Sequence, residues 1–441
     1  MVAQATLLLF GSFFVMLLAG VPISAGIGIA SIFTALFSMD PAIFALTAAQ
    51  RCFSGIDSFS LLALPFFSLG GNIMNKGGIA KRLVRLARLA VGKMPGYLAA
   101  TNVLANMFFG AVSGSSVAAT SAMGSIMAPL ELDEGYDPNY SAAVNICSAP
   151  TGILIPPSVP GIMYGLCAGV SISAVWLSTV GPAICCIILF MLINYFRQGR
   201  REEKVTTPFV LSTYAGNVGK TFIRAIPALI MPVIIFGGIY GGIFTATEAG
   251  AAAVLYGIIF YFVKRAMNKN NVDETFMNMT VHAAVSTATI CILIGFSNCS
   301  GRVISMIGIA EAIKAFVTTH ISSTFGFLIF ANILFLICGM LIDINAAILL
   351  IVPLLLPTAV AMGVDTIHFG AIILVNLSVG FITPPFCSSV FMAQKLSGAR
   401  YVDIIKEVMP FVVASLIVVI LTTYCPALST FIPNMVAGAA A

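Results

Sequence analysis

Residues 152–158 read GILIPPS and residues 380–386 read GFITPPF. Each stretch sits inside an apolar run long enough to cross a bilayer. A Pro-Pro pair removes backbone donors and pushes the preceding residue out of the helical region, so each run is expected to unwind there. The two stretches are 228 residues apart, and the same ungapped offset superimposes Ser115 on Asp343, Pro129 on Pro357, Gly135 on Gly363 and Asp137 on Asp365. A shift of 230 aligns GGNIMNKGGIA (70–80) with SGRVISMIGIA (300–310). So many Gly and Pro matches at one offset mark an internal repeat, one copy over 1–204 and the other over 205–441.

Working outward, 59% of the 441 residues are apolar and 8% charged, against roughly 45–50% and 25% in a soluble chain. A water-soluble fold is excluded. Nearly continuous apolar runs at 5–19, 174–193 and 411–424 lack the alternation of a membrane β-barrel. The fold class is therefore an all-α polytopic membrane protein. Full spans are expected at about 3–19, 22–38, 52–75, 139–166, 174–196, 225–243, 246–263, 280–300, 366–392 and 408–428. Segments 97–130 and 325–358 are too long for one span and too short for two, and are read as re-entrant hairpins.

Charge supplies the orientation. Eighteen of the 21 basic residues fall in five groups, Lys76 to Lys93, Arg197 to Lys204, Lys220 with Arg224, Lys264 to Lys269 and Lys395 to Lys406. Basic loops stay cytoplasmic, and this threading puts all five inside with both termini outside. The first hairpin then enters from the cytoplasm and the second from the external face, so the repeats are inverted. Inverted repeats with broken helices belong to secondary transporters whose sites lie near the midplane. GGIAKRLVRLARLAVGK (77–93) reads as a cytoplasmic arm helix lying along the membrane surface. The start, MVAQATLLLF, has no basic n-region and is expected to be a retained span.

Other chemistries find little support. His282, His320 and His368 are far apart, and the ten cysteines form no CxxC pair, so no transition-metal site is expected. There is no GxxxxGK[ST] sequence for ATP and no nucleophile with a matched base; the chain is read as a non-enzyme.

The breaks carry the expected chemistry. Each copy supplies a hairpin tip (Ser113 to Ser116; Leu341 to Asn345) and a broken span (Ser148 to Ser158; Asn376 to Phe386). Freed carbonyls with Ser, Thr, Asn or Asp oxygens suit sodium, and half-helix N-termini favour a carboxylate. Each tip with its own break can make one cation site, with an anionic substrate between the two; small-residue helix packing is the alternative. Asp343 fits a cation ligand or a helix cap. Asn345 and Asn376 fit a substrate contact or an interhelical clamp. Arg302, whose repeat counterpart is Asn72, fits a carboxylate partner or an interfacial side chain that snorkels. Asp57, Glu248 and Glu311 lie near span ends.

The Ser-rich hairpin followed by GILIPPS, with its inverted copy ending in GFITPPF, resembles the large membrane (M) subunit of tripartite ATP-independent periplasmic (TRAP) transporters, including those for sialic acid, within the wider ion-transporter superfamily. The resemblance covers essentially the whole chain. It implies an inner-membrane permease that works with a small four-helix membrane (Q) subunit and a periplasmic substrate-binding (P) protein. It further implies sodium-driven uptake of a sialic acid, C4-dicarboxylate or similar carboxylate by an elevator movement. Carried onto this chain, it implies sodium sites at Ser113, Ser115 and Ser116 with Pro150 and Gly152, and at Asp343 and Asn345 with Ser378, Gly380 and Thr383. Ser116, Asn345, Asn376 and Arg302 are the candidate substrate contacts. A sodium/dicarboxylate symporter needing no binding protein is the alternative reading.

Overall fold

The computed structural model describes residues 2–76, 79–92, 94–198, 226–227, 229–267, 275–321, 323–384, 389–390, 393–394 and 400–439, and among these all regular structure is helical. Lys93, Arg200, Arg201, Lys204, Lys220, Arg224, Lys269, Lys395, Pro385, Phe386 and the 204/205 repeat boundary lie outside the described residues.

The chain opens with α1 (Val2–Leu18) and α2 (Ile23–Ser38), packed on each other. Next, α3 (Pro41–Ile56) bends by 54° into a short 3-10 turn and α4 (Ala63–Lys76). The arm α5 (Ile79–Val91) leads to the first hairpin, α6 (Tyr97–Ser113) and α7 (Ser116–Asp133). The first broken span is α8 (Pro138–Leu154) with α9 (Val159–Ala168), bent by 42°, and α10 (Ile172–Gln198) closes the half. The second half runs α11 (Leu229–Tyr240), α12 (Ala246–Met267), α13 (Phe276–Ile307) and α14 (Ile309–His320). It continues with the second hairpin, α15 (Thr324–Leu341) and α16 (Ile344–Ala361), then α17 (Thr366–Ile382), α18 (Tyr401–Tyr424) and α19 (Ala427–Ala439).

The offset that aligns the sequence also aligns the helices. Both ends of α7 and α8 recur 228 residues later in α16 and α17, and the matched residues have local causes. Gly135 and Gly363 both adopt left-handed backbone (φ 81° and 78°) in the turns that end α7 and α16, where a side chain would be strained. Asp137 and Asp365 cap the next helix: their Oδ1 atoms accept from the backbone N–H of Asn139 and His368, each at 2.8 Å. Such a cap contributes about 1 kcal/mol.

Each hairpin is locked to its own broken span. In the first half α6 lies on α8, with Gly110 against Gly152; in the second α15 lies on α17, with Gly339 against Gly380. Amide bonds reinforce both crossings. Asn106 Nδ2 donates to Asn145 Oδ1 at 3.1 Å, and Asn376 Nδ2 donates to Asn332 Oδ1 at 2.6 Å. The halves then interlock, because α10 packs on α17, α18 packs on α8, and the Tyr164 hydroxyl of α9 donates to the Thr366 carbonyl. A second layer contains α4 and α13 side by side, with α2 and α3 on α13 and α12 on α4. The arm α5 lays Ala80, Leu83, Val84 and Ala87 inward against α6 and keeps Lys81, Arg85 and Arg88 exposed, the amphipathic pattern expected of it.

Three expectations are corrected. Unwinding was expected from Ser148 and Asn376, yet α8 stays helical through Pro150 to Leu154 and α17 to Ile382. The first break begins only at Ile155, which is extended (φ −91°, ψ 130°) because Pro156 follows it. Gly152 is not a breaker; it is a packing residue that lets two backbones touch. The span expected at 52–75 starts earlier, at Pro41, with Asp40 as its cap, and kinks at Asp57. The helix over 427–439 was not expected at all.

A Cβ added at Gly152 would lie 2.5 Å from the Gly110 Cα and 2.8 Å from the Asn106 carbonyl oxygen. Both are backbone atoms that cannot swing aside, so Gly152→Ala is expected to lower stability by about 1–3 kcal/mol. Thermal melting of the detergent-purified protein checks this. Gly11→Ala in α1, where nothing lies within 4 Å, is the control and should melt no lower than the unaltered protein, since alanine suits a helix interior better than glycine.

Candidate functional site

The two hairpin tips meet. Ser113, Gly114, Ser115 and Ser116 of the first and Asp343, Ile344 and Asn345 of the second line one cavity of about 230 Å³, just under the roughly 300 Å³ at which drug-sized pockets begin. Further walls come from the helices flanking the first break (Ile153 of α8, Val159 and Pro160 of α9), from α17 (Phe381), from α4 (Ser68, Gly71, Asn72) and from α13 (Ser286, Thr287, Ile290).

Local sequence explains each tip. Gly114 ends α6 in left-handed backbone at φ 62°, its N–H donating to the Gly110 carbonyl at 2.7 Å. Ser115 then starts α7, its Oγ accepting from the Ala118 N–H at 3.4 Å. The first tip rests on the first break: a Cβ on Gly114 would stand 3.5 Å from the Pro157 carbonyl oxygen. In the second tip, Asp343 caps α16, its Oδ1 accepting from the Asn345 N–H at 2.9 Å. The N-terminal ends of α7 and α16 therefore both open on the cavity and lend it positive potential. Behind the first break, α10 supplies donors to the exposed carbonyls. Thr179 Oγ1 donates to the Leu154 oxygen at 2.6 Å and Trp176 Nε1 to the Ser158 oxygen at 2.9 Å.

Two polar atoms at the cavity are buried and lack a partner among the described residues, Ser116 Oγ and Asn345 Oδ1. Burying a hydroxyl or amide oxygen unpaired costs about 1–3 kcal/mol. Together with the Asp343 carboxylate they form a hard-oxygen set suited to an alkali cation.

The residues expected at the site divide into two groups. Ser113, Ser115, Ser116, Asp343 and Asn345 are brought together at the cavity. Pro150, Gly152, Ser378, Gly380, Thr383 and Asn376 do not line it; they lie on α8, on α17 or at the end of α17, with Gly152 and Gly380 at the two crossings. Ser378 Oγ and Thr383 Oγ1 donate to carbonyls one turn earlier, Leu374 O and Val379 O. Asn376 takes its clamp role, bridged through Asn332 to Thr423 of α18. Arg302 lines a separate pocket with Arg51. Sequence reasoning did not pick out Ser68, Ser286 and Thr287, whose signal was only that of isolated hydroxyls in apolar spans.

Residues 10–428 match the family described as the tripartite ATP-independent periplasmic transporter, DctM component. The chain is 36% identical over 432 residues to the uncharacterised YgiK protein of Salmonella typhimurium, covering 98% of each. It is 34% identical over 454 residues to the C4-dicarboxylate TRAP transporter large permease DctM of Vibrio cholerae, covering 99% of each. In fold it resembles the YdaH transporter of Alcanivorax borkumensis, with a TM-score of 0.66 at 15% identity over 95% of this chain and 97% of that one. Among the described residues, six helices are long and apolar enough to cross a membrane, or up to eight if each bent pair counts as one, which makes this a multi-pass membrane protein, in bacteria of the inner membrane. The chain belongs to the DctM family of large TRAP transporter membrane subunits.

Proposed function

We propose that this subunit imports a small organic carboxylate by sodium symport, using the cavity between the two hairpin tips. The observation that carries the reading is the meeting of Asp343 with two unpartnered buried oxygens where two helix N-termini converge. One sodium is held at the first tip by Ser113, Ser115 and Ser116 with backbone near Pro150 and Gly152. A second is held by Asp343 and Asn345 with backbone near Ser378, Gly380 and Thr383. The substrate lies between them against Ser116 and Asn345. The substrate class extends that of the C4-dicarboxylate relative, with sialic acids as the second candidate. A periplasmic binding protein delivers the substrate, a small four-helix subunit braces the permease, and the hairpins move as an elevator.

Asp343 also supplies the coupling. Its carboxylate repels an incoming anion, by about 4 kcal/mol for unit charges about 4 Å apart at an effective dielectric near 20. Sodium beside Asp343 removes that repulsion, so substrate binds after the cation. Reciprocity then requires the substrate to tighten sodium by the same factor.

The test is uptake of labelled sialic acid and C4-dicarboxylates into proteoliposomes holding this chain and its small subunit, with and without an inward sodium gradient and the binding protein. Uptake needing both is expected; uptake with sodium alone would make it a self-sufficient symporter. Ser116→Ala removes a hydroxyl with no partner among the described residues, so its melting temperature is expected to hold while uptake falls. Loss of a charge-assisted ligand, worth about 1.5–3 kcal/mol, should make Asp343→Asn need roughly tenfold or more sodium for half-maximal uptake. Unchanged sodium dependence in both variants would remove the tip assignment.

A further inference from the structure

Arg51 of α3 and Arg302 of α13 line a second pocket of about 280 Å³ with Ser297, Asn298, Ser305, Leu349 and Pro353. Its walls come from four helices, α3, α9, α13 and α16. Most polar residues belong to α3 and α13, whereas Leu349 and Pro353 belong to α16, the helix that starts at the second tip. Neither arginine has an ion-pair or hydrogen-bond partner among the described residues, and no acidic residue lines the pocket. Arg302 Nε and Ser297 Oγ are buried and unsatisfied, and Ser297 is 4% exposed. Two guanidinium groups facing Leu and Pro are left without the planar anion their fork geometry suits.

The position of this pocket on α13 gives it a meaning. Ser286, Thr287 and Ile290 of α13 touch the tip cavity, and Ser297 to Ser305 of the same helix touch the arginine pocket. The basic end of α12, Lys264 and Arg265, precedes α13, so Phe276 begins at the cytoplasmic side and the arginines lie toward the external side. On α16 the order is the same, with Asp343 to Asn345 at the tip cavity and Leu349 and Pro353 at the arginines. Four to ten residues separate these positions on α16, about 6–15 Å of helix, and twelve to sixteen separate Ser286, Thr287 and Ile290 from Arg302 on α13, about 18–24 Å. Sliding α16 outward along α13 carries the second tip toward Arg51 and Arg302.

We infer that Arg51 and Arg302 form the external station of the carboxylate site: they hold the substrate's carboxylate when the tips are displaced toward the outside, and the described structure has the tips at the cytoplasmic station. The inference rests on the transport reading above. The shared ligand chemistry is an oxyanion, a substrate carboxylate or a lipid phosphate, and the test separates them.

Arg51→Gln and Arg302→Gln are assayed in proteoliposomes with the small subunit and saturating binding protein, using labelled succinate and N-acetylneuraminate. Maximal influx should fall roughly tenfold or more, from the loss of charge-assisted bonds, while the internal concentration half-saturating efflux stays as in the unaltered protein. An equal effect on both sides, or on neither, overturns the proposal. So does an effect that disappears in vesicles of phosphatidylcholine alone and returns with phosphatidylglycerol, which would assign the arginines to lipid. Geometry is tested without any substrate in a cysteine-free background. Arg302→Cys combined with Asn345→Cys should cross-link on oxidation, and failure to do so overturns the proposal. If that pair cross-links while the unaltered chain takes up neither probe, the transport reading fails and the two-station geometry stands.

Discussion

Within a bilayer every backbone polar group must be satisfied by the protein, because lipid offers no partner. This chain interrupts helices at its centre, and the rest of the fold makes those interruptions tolerable. The tips are turned by Gly114 in the first hairpin and by the Asp343 cap in the second. The first break is backed by Thr179 and Trp176. The glycine crossings of α6 on α8 and α15 on α17 bring each tip's helix close enough to its broken span to exclude lipid. Ser116 Oγ and Asn345 Oδ1, at the cavity, are among the buried side-chain oxygens that find no partner among the described residues.

The two halves share a framework and differ in their charges. Where the first tip has Ser115, the second has Asp343; where α4 has Asn72, α13 has Arg302. The framework positions are those a turn, cap or crossing dictates. The charged differences fall at the cavity and at the arginine pocket; a cap needs only a side-chain oxygen, as Ser115 supplies for α7, so the charge of Asp343 is not dictated by its cap. Under the proposed transport reading, a symmetric scaffold holds an asymmetric cycle, with an acidic group on one hairpin and basic groups on the helices beside it.

Much of the framework was legible in the sequence because local rules fixed it. Gly135 and Gly363 match because only glycine suits their backbone, and Asp137 and Asp365 match because each caps a helix. The limits of the first break were read too early because Pro150 and Gly152 look like breakers, while tertiary packing keeps them helical. The cavity's far wall was hidden, since Ser68, Ser286 and Thr287 look like ordinary packing hydroxyls until α4 and α13 are brought beside the tips. The pairing of Arg51 with Arg302 was equally hidden, because residues far apart in the chain meet only through the contact of α3 with α13.

The central claim is that one cavity between the tips binds sodium and a carboxylate in a mutually dependent way. The most direct measurement is equilibrium binding of radioactive sodium to the purified permease complex, titrated with the transported carboxylate, together with the reverse titration. The account predicts that each ligand tightens the other by the same factor, and that Ser116→Ala and Asp343→Asn reduce that factor. Sodium binding that is indifferent to the carboxylate, in a protein that binds both, would contradict it.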